Sequence, residues 1–198
     1  MPARQVSYDD ATALVVVDMQ NDFAHPEGGL YVRGGDQIVP AVNQEVQQAQ
    51  RGGALVVYTQ DWHPETTPHF AKDGGIWPTH CVQGSWGAGF HEDLEVLGPV
   101  VQKGVSGEDG YSGFTVQHPV NGETRPTALG DLLKQREIRR LVVVGLAQDV
   151  CVKETVLEAR RLGYEVSVPR EGTRPVNLRP GDGAEALRVM GDAGARIV

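Results

Sequence analysis

The chain has 198 residues with a formal net charge of −8 at pH 7, and 40% of its residues are hydrophobic. This length and composition suit a single compact domain, which we take as residues 1–198, and the negative charge disfavours nucleic acid and anionic membranes as partners. No apolar run approaches the roughly 20 residues that a membrane-spanning helix needs, and the polar segment Met1–Asp10 lacks the apolar region of a signal sequence.

Six short, continuous runs rich in β-branched residues are typical of parallel strands that are buried on both faces of a sheet. Leu141–Gly145 is the strongest of these runs and Pro99–Gln102 a weaker one. In chain order the predicted strands are Leu14–Val17, Leu55–Thr59, Pro99–Gln102, Leu141–Gly145, Glu165–Val168 and Arg196–Val198.

Stretches with helical periodicity lie between these strands. Asp36–Gln50 predicts a helix that stops at Gly52-Gly53, Thr127 can cap a second helix, and Gly181–Gly191 predicts a last one. The residues expected to face inward are Ile38, Val42, Val46 and Ala49; Leu129, Leu132 and Leu133; Val152, Val156, Ala159 and Leu162, before Gly163; and Ala184, Leu187 and Met190. The alternation of strands and helices predicts a Rossmann-like α/β fold with three layers, in which helices cover a mainly parallel sheet of about six strands.

A long segment, at about 61–95, has no clear periodicity and is rich in Gly, Pro, His and Trp. Long ordered loops in compact domains usually carry function. This loop contains Asp61, His63, His69 and His80, and carboxylate with imidazole suits a divalent ion such as zinc, iron or manganese. Loop histidines that only make hydrogen bonds are the alternative, and we interpret His25, His91 and His118 as surface or structural residues.

Four polar or reactive residues follow the predicted strands closely. Asp18, Asp61 and Lys103 come directly after or just beyond three of the strands, and Cys151 lies six residues past Gly145. Ligands bind beyond the carboxyl ends of the strands in open parallel sheets. We therefore expect a carboxylate, an ammonium and a thiol to meet at this edge.

Cys151 gains most from such a position, because a helix N-terminus and a nearby lysine both lower the pKa of a thiol. A thiolate attacks carbonyl carbons, and backbone N–H groups of the same turn could hold the resulting oxyanion. Taken singly, each residue has a simpler interpretation: Cys151 as a small buried hydrophobe, Asp18 as a capping or ion-paired residue, and Lys103 as a surface lysine. Cys81 and Cys151 have different surroundings, so we interpret both as free thiols in a reducing, cytoplasmic compartment.

Aromatic residues flank the proposed site residues in the sequence. Phe23, Trp62, Trp77 and Tyr111 could form an apolar pocket for a flat ring. Ordinary core packing is the alternative for any one of them.

Four motifs stand out between about Ala13 and Val168. They are Asp18-Met19-Gln20-Asn21-Asp22-Phe23; Thr59-Gln60-Asp61-Trp62-His63-Pro64 with Trp77-Pro78-Thr79-His80-Cys81-Val82; Lys103-Gly104 with Tyr111-Ser112-Gly113-Phe114; and Gly145-Leu146-Ala147-Gln148-Asp149-Val150-Cys151-Val152. These motifs resemble those of the isochorismatase-like hydrolases and stand in the family order. The second motif is similar to the metal-binding loop of nicotinamidases in particular.

The resemblance implies a role for each matched residue. Cys151 would be the nucleophile, Asp18 the proton shuttle and Lys103 the group that stabilises the thiolate. The implied metal ligands are Asp61, His63 and His80, with His69 as a fourth, and the ion would be zinc, with iron and manganese as alternatives. The implied substrate contacts are Phe23, Trp77, Tyr111 and Gln20. The family also has a cis peptide at the position of Leu146–Ala147, and the amides of Ala147 and Cys151 would hold the oxyanion.

The implied reaction converts nicotinamide to nicotinic acid and ammonia through a thioester, a step of NAD salvage, and extends to pyrazinamide. Gln148 stands where the family often has a smaller residue such as threonine, and the loop between His63 and His80 is short, so rim contacts and the lid could differ. Three alternatives stay open: an isochorismatase-like amidase for another small amide or carbamoyl compound, a hydrolase whose metal-bound water attacks, and a non-catalytic binding module. A homo-oligomer is also left open.

Overall fold

A six-stranded parallel sheet forms the centre of the protein, in a computed structural model that describes residues 6–198. Residues 1–5, which begin the segment that we interpreted as polar and without a signal sequence, lie outside the described residues. The strands are β1 (Thr12–Val17), β2 (Leu55–Asp61), β3 (Val100–Lys103), β6 (Arg140–Gly145), β7 (Glu165–Val168) and β8 (Arg196–Ile197). Their order in the sheet is β3-β2-β1-β6-β7-β8. All six predicted strands are confirmed, with ends that differ by one or two residues.

Helices cover both faces of the sheet, as the three-layer prediction requires. Successive residues of a strand point to opposite faces, so Val15 belongs to one hydrophobic cluster and Val16 to the other. The first cluster packs under α3 (Leu129–Gln135), α4 (Lys153–Arg161) and α5 (Asp182–Asp192), and the second packs under α2 (Val39–Arg51). A one-turn helix, α1 (Asn21–Ala24), follows β1. None of the helices within residues 6–198 is long and apolar enough to cross a bilayer.

Two predicted inward faces are wrong in part. Leu162 is 57% exposed, because α4 ends at Arg161 and the chain turns away at Gly163, whose φ is +92°. Ala184 is exposed, and α5 instead buries Gly183, Ala186 and Met190. Thr127 accepts a hydrogen bond from the N–H of Leu129 at 3.2 Å, although Ala128 is the N-cap residue of α3.

A short antiparallel hairpin was not predicted. It consists of β4 (Thr115–Gln117) and β5 (Thr124–Pro126), and β5 is exposed throughout. Strands of three residues are too short to show the repeated hydrophobic alternation that predicts a strand.

The register of the sheet brings the carboxyl ends of four neighbouring strands to one edge. Lys103, the last residue of β3, pairs with Asp61, the last residue of β2. Val17 pairs with Gly145 in the same way between β1 and β6. The residues that follow these ends therefore lie side by side.

Candidate active site

Three charged side chains meet at this edge and are shielded from water. Asp18 and Lys103 are 0% exposed and Asp61 is 4% exposed. The Nζ atom of Lys103 lies 2.7 Å from Asp18 Oδ2 and 2.9 Å from Asp61 Oδ1, and it donates a further hydrogen bond to the carbonyl oxygen of Gly110. Two of these contacts are hydrogen bonds, to Asp18 and Gly110, and the contact with Asp61 is an ion pair, so the three partners surround the ammonium. Lys103 can therefore act on other groups only through its charge.

The charges of this cluster shift one another's pKa values. Burial raises the pKa of Asp18 to about 6, although Lys103 opposes this rise and Thr59 donates a 2.6 Å hydrogen bond to Asp18 Oδ1. Burial also acts against the charged form of Asp61, but Lys103 and His63 outweigh it and lower the pKa of Asp61. Asp18 is thus the carboxylate of the pair that takes up a proton near neutral pH.

Cys151 lies in a π-helical turn, Gln148–Val152, which runs directly into α4. Such wide turns are frequent at functional sites. The strand before this turn ends at Gly145. The φ of Gly145 is +114° and a Cβ atom there would lie 2.1 Å from the carbonyl oxygen of Val17, so the position requires glycine. The peptide between Leu146 and Ala147 is cis, as the resemblance implied. Within residues 6–198, the N–H of Ala147 donates no hydrogen bond to another residue, which leaves it available to a ligand.

The thiol of Cys151 is 7% exposed and lies within 4.8 Å of carboxylate oxygens of Asp18 and Asp61. The expected fall in its pKa is wrong. Burial raises the pKa of Cys151 well above its ordinary value, and the favourable charge of Lys103 does not compensate because the carboxylates beside the thiol also oppose a thiolate. These surroundings favour the protonated thiol, so a nucleophilic role for Cys151 would require a base.

Three imidazoles form a second cluster next to the first. One ring nitrogen from each of His63, His69 and His80 lies within 4.8 Å of the others, and all three side chains are buried. Among the described residues, both ring nitrogens of His63 lack a hydrogen-bond partner, and so does Asp61 Oδ1, which has only its ion pair with Lys103. Unpartnered buried nitrogens are costly unless a ligand satisfies them. The cluster fits a divalent metal ion.

Neighbouring residues set the orientation of these imidazole rings. The carbonyl oxygen of Pro78 lies 2.7 Å from Nδ1 of His80, and Asp109 Oδ1 lies 2.5 Å from Nδ1 of His69. Both contacts leave Nε2 for a metal ion. Gly104 lies against the ring of His63: its φ is +72°, and a Cβ atom there would lie 2.5 Å from the ring. The glycine after Lys103 thus makes room for His63.

A cavity opens above the charged cluster and the imidazole cluster. Its walls combine apolar and aromatic side chains with the thiol of Cys151 and with imidazoles. Two of the lining residues are joined by a hydrogen bond, which the indole N–H of Trp77 donates to Tyr111 Oη at 2.9 Å. The lining residues are Phe23, Leu30, Val32, Asp61, His69, Trp77, His80, Gly110, Tyr111, Ala147, Val150, Cys151 and Val176. Leu30, Val32 and Val176 were missed, because isolated aliphatic residues in loops carry no sequence signal.

The expected substrate contact by Gln20 is wrong. Its side chain is 0% exposed and forms two hydrogen bonds with the backbone of Asp61. Oε1 of Gln20 accepts the N–H of Asp61 at 2.8 Å, and Nε2 of Gln20 donates to the carbonyl oxygen of Asp61 at 2.7 Å. Gln20 therefore holds Asp61 in place. Trp62 also lies outside the cavity lining, packed against the cluster under α2.

Gln148 is not a rim residue either. It is buried, accepts a 3.0 Å hydrogen bond from the hydroxyl of Thr173 and donates one at 2.8 Å to the carbonyl oxygen of Gly183. The longer amide thus ties the turn that contains Cys151 to α5, and a threonine in its place would be too short to reach. Among the other histidines, His91 is buried, while His25 and His118 lie in loops.

Comparisons with known proteins agree with this geometry. The model of the isochorismatase domain matches residues 12–198. The nicotinamidase of Escherichia coli (strain K12) is 40% identical over 203 residues, which cover 93% of each chain. The pyrazinamidase of Pyrococcus horikoshii, solved in complex with zinc, has 38% identity and a TM-score of 0.83 over 95% of this chain and 98% of its own. PnC1 from L. infantum, solved in complex with nicotinate, has 35% identity and a TM-score of 0.87 over 98% and 95%. These likenesses confirm the predicted fold.

Proposed function

We propose, on the premise that this chain belongs to the isochorismatase family, that it hydrolyses nicotinamide to nicotinate and ammonia with Cys151 as the nucleophile. Membership follows from the family match over residues 12–198 and from the relative that is 40% identical. One observation carries the proposal: the thiol of Cys151, the imidazoles of His69 and His80 and an aromatic wall all face the same cavity. We also propose that residues 1–198 form one hydrolase domain with its metal-binding loop at about 61–95.

A divalent ion is part of the proposal, with His63, His69, His80 and Asp61 as its ligands. The donor set of imidazoles and a carboxylate suits zinc, and the relative from Pyrococcus horikoshii was solved with zinc, so we propose zinc. A bound ion would supply a Lewis-acidic anchor that orients the substrate rather than the nucleophile itself.

The aromatic residues bind the ring. Phe23 and Trp77 line the cavity together with Leu30, Val32 and Val176. These apolar side chains exclude water and favour a flat, uncharged heterocycle. Tyr111 keeps Trp77 in place by accepting its indole N–H.

Asp18 begins the chemistry by acting as the base. It takes the proton from the Sγ atom of Cys151 as the sulfur attacks the carboxamide carbon, and the charge of Lys103 stabilises the developing thiolate. The backbone N–H groups of Ala147 and Cys151 hold the oxyanion. Asp18 then returns the proton to the departing nitrogen, and ammonia leaves a thioester on Cys151. A carboxyl whose pKa is raised to about 6 can both accept and return a proton near neutral pH.

Hydrolysis of the thioester follows the same path with water in place of the thiol. Asp18 removes a proton from the water that attacks the thioester carbon, and the oxyanion is held by the same two N–H groups. Collapse of this second tetrahedral species breaks the carbon–sulfur bond, and Cys151 recovers its proton from Asp18. The product is nicotinate, and the cycle serves NAD salvage.

Three finer points belong to the same proposal. Pyrazinamide differs from nicotinamide by one ring nitrogen, and a pyrazinamidase is 38% identical to this chain, so we expect it to be a substrate. Cys81 and Cys151 are both free and buried, which supports a reducing, cytoplasmic compartment. A homo-oligomer stays a prediction from the sequence.

Ammonia release from nicotinamide tests the proposal with wild type, Cys151→Ala and Cys81→Ala, which removes the other buried thiol as a matched control. Turnover by wild type and Cys81→Ala, with none by Cys151→Ala, is expected. Activity that survives in Cys151→Ala would instead favour a metal-bound water as nucleophile. If wild type ignores nicotinamide but its Cys151-dependent activity appears with another small amide or carbamoyl compound, the substrate is wrong and the mechanism stands.

A further inference from the structure

The three clustered imidazoles differ in what their second ring nitrogen contacts. His80 contacts a neutral carbonyl oxygen, that of Pro78, while neither nitrogen of His63 has a partner among residues 6–198. Among the three, within residues 6–198, only His69 has a ring nitrogen at hydrogen-bond distance from a carboxylate: its Nδ1 atom lies 2.5 Å from Oδ1 of Asp109, whereas Nε2 of His63 lies 3.8 Å from Oδ2 of Asp61. Hydrogen bonds to an ionised acceptor are shorter and stronger than neutral ones. His69 is thus held by the strongest of these contacts.

The carboxylate of Asp109 is itself anchored. The N–H of Asp109 donates a 2.7 Å hydrogen bond to the carbonyl oxygen of Gln117, and the N–H of Gln117 donates back at 2.9 Å. Only 20% of the Asp109 side chain is exposed. A carboxylate on such a pinned backbone holds its partner more firmly than a mobile surface acid does.

Asp109 also lies in the segment that follows Lys103, and this segment contacts the metal-binding loop at three alternate positions. Thr67 donates a hydrogen bond to the carbonyl oxygen of Gly107 at 2.8 Å, His69 meets Asp109, and Trp77 meets Tyr111. The middle contact of this row involves an imidazole of the cluster. Asp109 therefore fixes a metal-site residue from a different part of the chain.

We propose that Asp109 is a positioning residue for metal binding, and that its carboxylate holds His69 in the tautomer with the proton on Nδ1 so that Nε2 faces the ion. The inference rests on the proposed function, because it assumes that His69 is a ligand. Ionised Asp109 can only accept a hydrogen bond, so Nδ1 must carry the proton and Nε2 keeps its lone pair. A carboxylate behind a ligating histidine also strengthens the imidazole as a donor.

Asp109 is not itself a member of the ligand cluster. The group of residues whose donor atoms lie within 4.8 Å of one another contains the three histidines without it, and it contacts the edge of the His69 ring that carries Nδ1. An ordinary ion pair with a protonated His69 would produce the same contact without any metal. The two interpretations differ in one measurable quantity, which is the affinity for the ion.

Zn²⁺ affinity, measured by competition with a chromophoric chelator on metal-stripped protein, tests the inference. Asp109→Ala should weaken binding by about 10- to 100-fold, and Asp109→Asn, which keeps the shape and one acceptor oxygen, should lose less. Glu108→Gln is the matched control: it removes the adjacent carboxylate, which accepts the N–H of Ser106, and should bind Zn²⁺ as wild type does. The melting temperatures of the metal-free proteins identify any variant that fails to fold.

Two further comparisons separate a positioning role from a structural one. In a His69→Ala background, Asp109→Ala should cause no additional loss of affinity, because Asp109 acts through His69. In the Co²⁺-substituted protein, Asp109→Ala should change the visible absorption of the ion, while Glu108→Gln should not. Equal Zn²⁺ affinity in wild type and a folded Asp109→Ala would overturn the inference and leave the metal site intact. If wild type itself fails to bind Zn²⁺, Co²⁺ or another divalent ion, the proposed metal site fails instead.

Discussion

The two clusters of the site are built in different ways. Asp61 and Lys103 are the last residues of neighbouring strands and Asp18 follows the next strand, and the ladder pairs Asp61 with Lys103 and fixes their spacing. The three imidazoles instead lie in an irregular loop, which is held by side-chain bonds such as the 2.6 Å hydrogen bond from the N–H of Cys81 to Asp22 Oδ2. The first cluster is built on the strand ends, whereas the second depends on a few local contacts. Asp61 belongs to the first cluster and is also a proposed metal ligand, so we expect the chemistry and the metal site to fail independently for changes that spare Asp61, such as one at Asp18.

Asp18→Asn is expected to have the largest effect, because it removes the proposed base from the strand-built cluster and leaves the loop unchanged. We expect kcat to fall by about 1,000-fold while the metal content, measured by atomic emission on the same sample, stays at the wild-type level. A variant that keeps kcat within about tenfold of wild type would show that the proton has another acceptor. A variant that loses its metal would break the independence of the two clusters.

Removal of the metal ion is the converse test, because it changes the loop-built cluster and leaves the strand-built cluster in place. Stripping with a chelator should lower kcat/KM for nicotinamide by about 100-fold, since a poorly oriented substrate reacts slowly. The rate at which iodoacetamide alkylates Cys151 should change little, because the thiol and Asp18 stay in place. Restored turnover on adding back Zn²⁺ is the control. Loss of thiol alkylation together with turnover would mean that the loop supports the strand-built cluster after all.

The pH dependence of kcat/KM reports on Asp18. Its pKa is raised to about 6, and only the deprotonated carboxylate can accept the thiol proton. Activity should therefore be full above about pH 7 and fall by about tenfold per unit of pH below about 6, well above the pKa of about 4 of an unperturbed Asp. Metal content is measured at each pH, because protonated histidines release the ion. A profile that stays flat down to about pH 4 contradicts the assignment of Asp18 as base.

Trp77→Phe should have the smallest effect of the four. It keeps an aromatic wall but loses the 2.9 Å hydrogen bond to Tyr111. Such a bond contributes about 1 kcal/mol, so we expect KM for nicotinamide to rise by about fivefold with little change in kcat. Tyr111→Phe breaks the same bond from the other side, and the double variant should resemble either single one. Additive losses would mean that the two rings contact the substrate separately.

The sequence predicted the strand-built part of the molecule well for a physical reason. Strands such as β6 (Arg140–Gly145) are buried on both faces, so their continuous apolar composition predicts parallel strands. Once the sheet is parallel, the positions of Asp18 and Lys103 after strand ends are enough to expect them at one edge. The catalytic roles of these residues and of Cys151 remain predictions.

The sequence could not predict properties that depend on the three-dimensional surroundings of a side chain, such as its pKa and its hydrogen-bond partners. The pKa of Cys151 is raised rather than lowered, because two buried carboxylates and desolvation outweigh one lysine. Gln20 and Gln148 are motif residues, yet their amides bind backbone rather than substrate. Asp109 carries no motif that would link it to His69, 40 residues earlier. Such relationships arise only when the loops fold against one another.

The strand order has an evolutionary consequence. Lys103, Asp61 and Asp18 follow neighbouring strands of the sheet, but long stretches of chain separate them in the sequence. Insertions or deletions in the connections leave the register of the strands unchanged, because loops tolerate changes of length far better than the ladder does. Asp18, Asp61 and Lys103 can therefore be inherited together while the loop that follows Asp61 is exchanged. A scaffold of this kind can acquire new substrates by exchanging one connection while the residues at its strand ends stay unchanged.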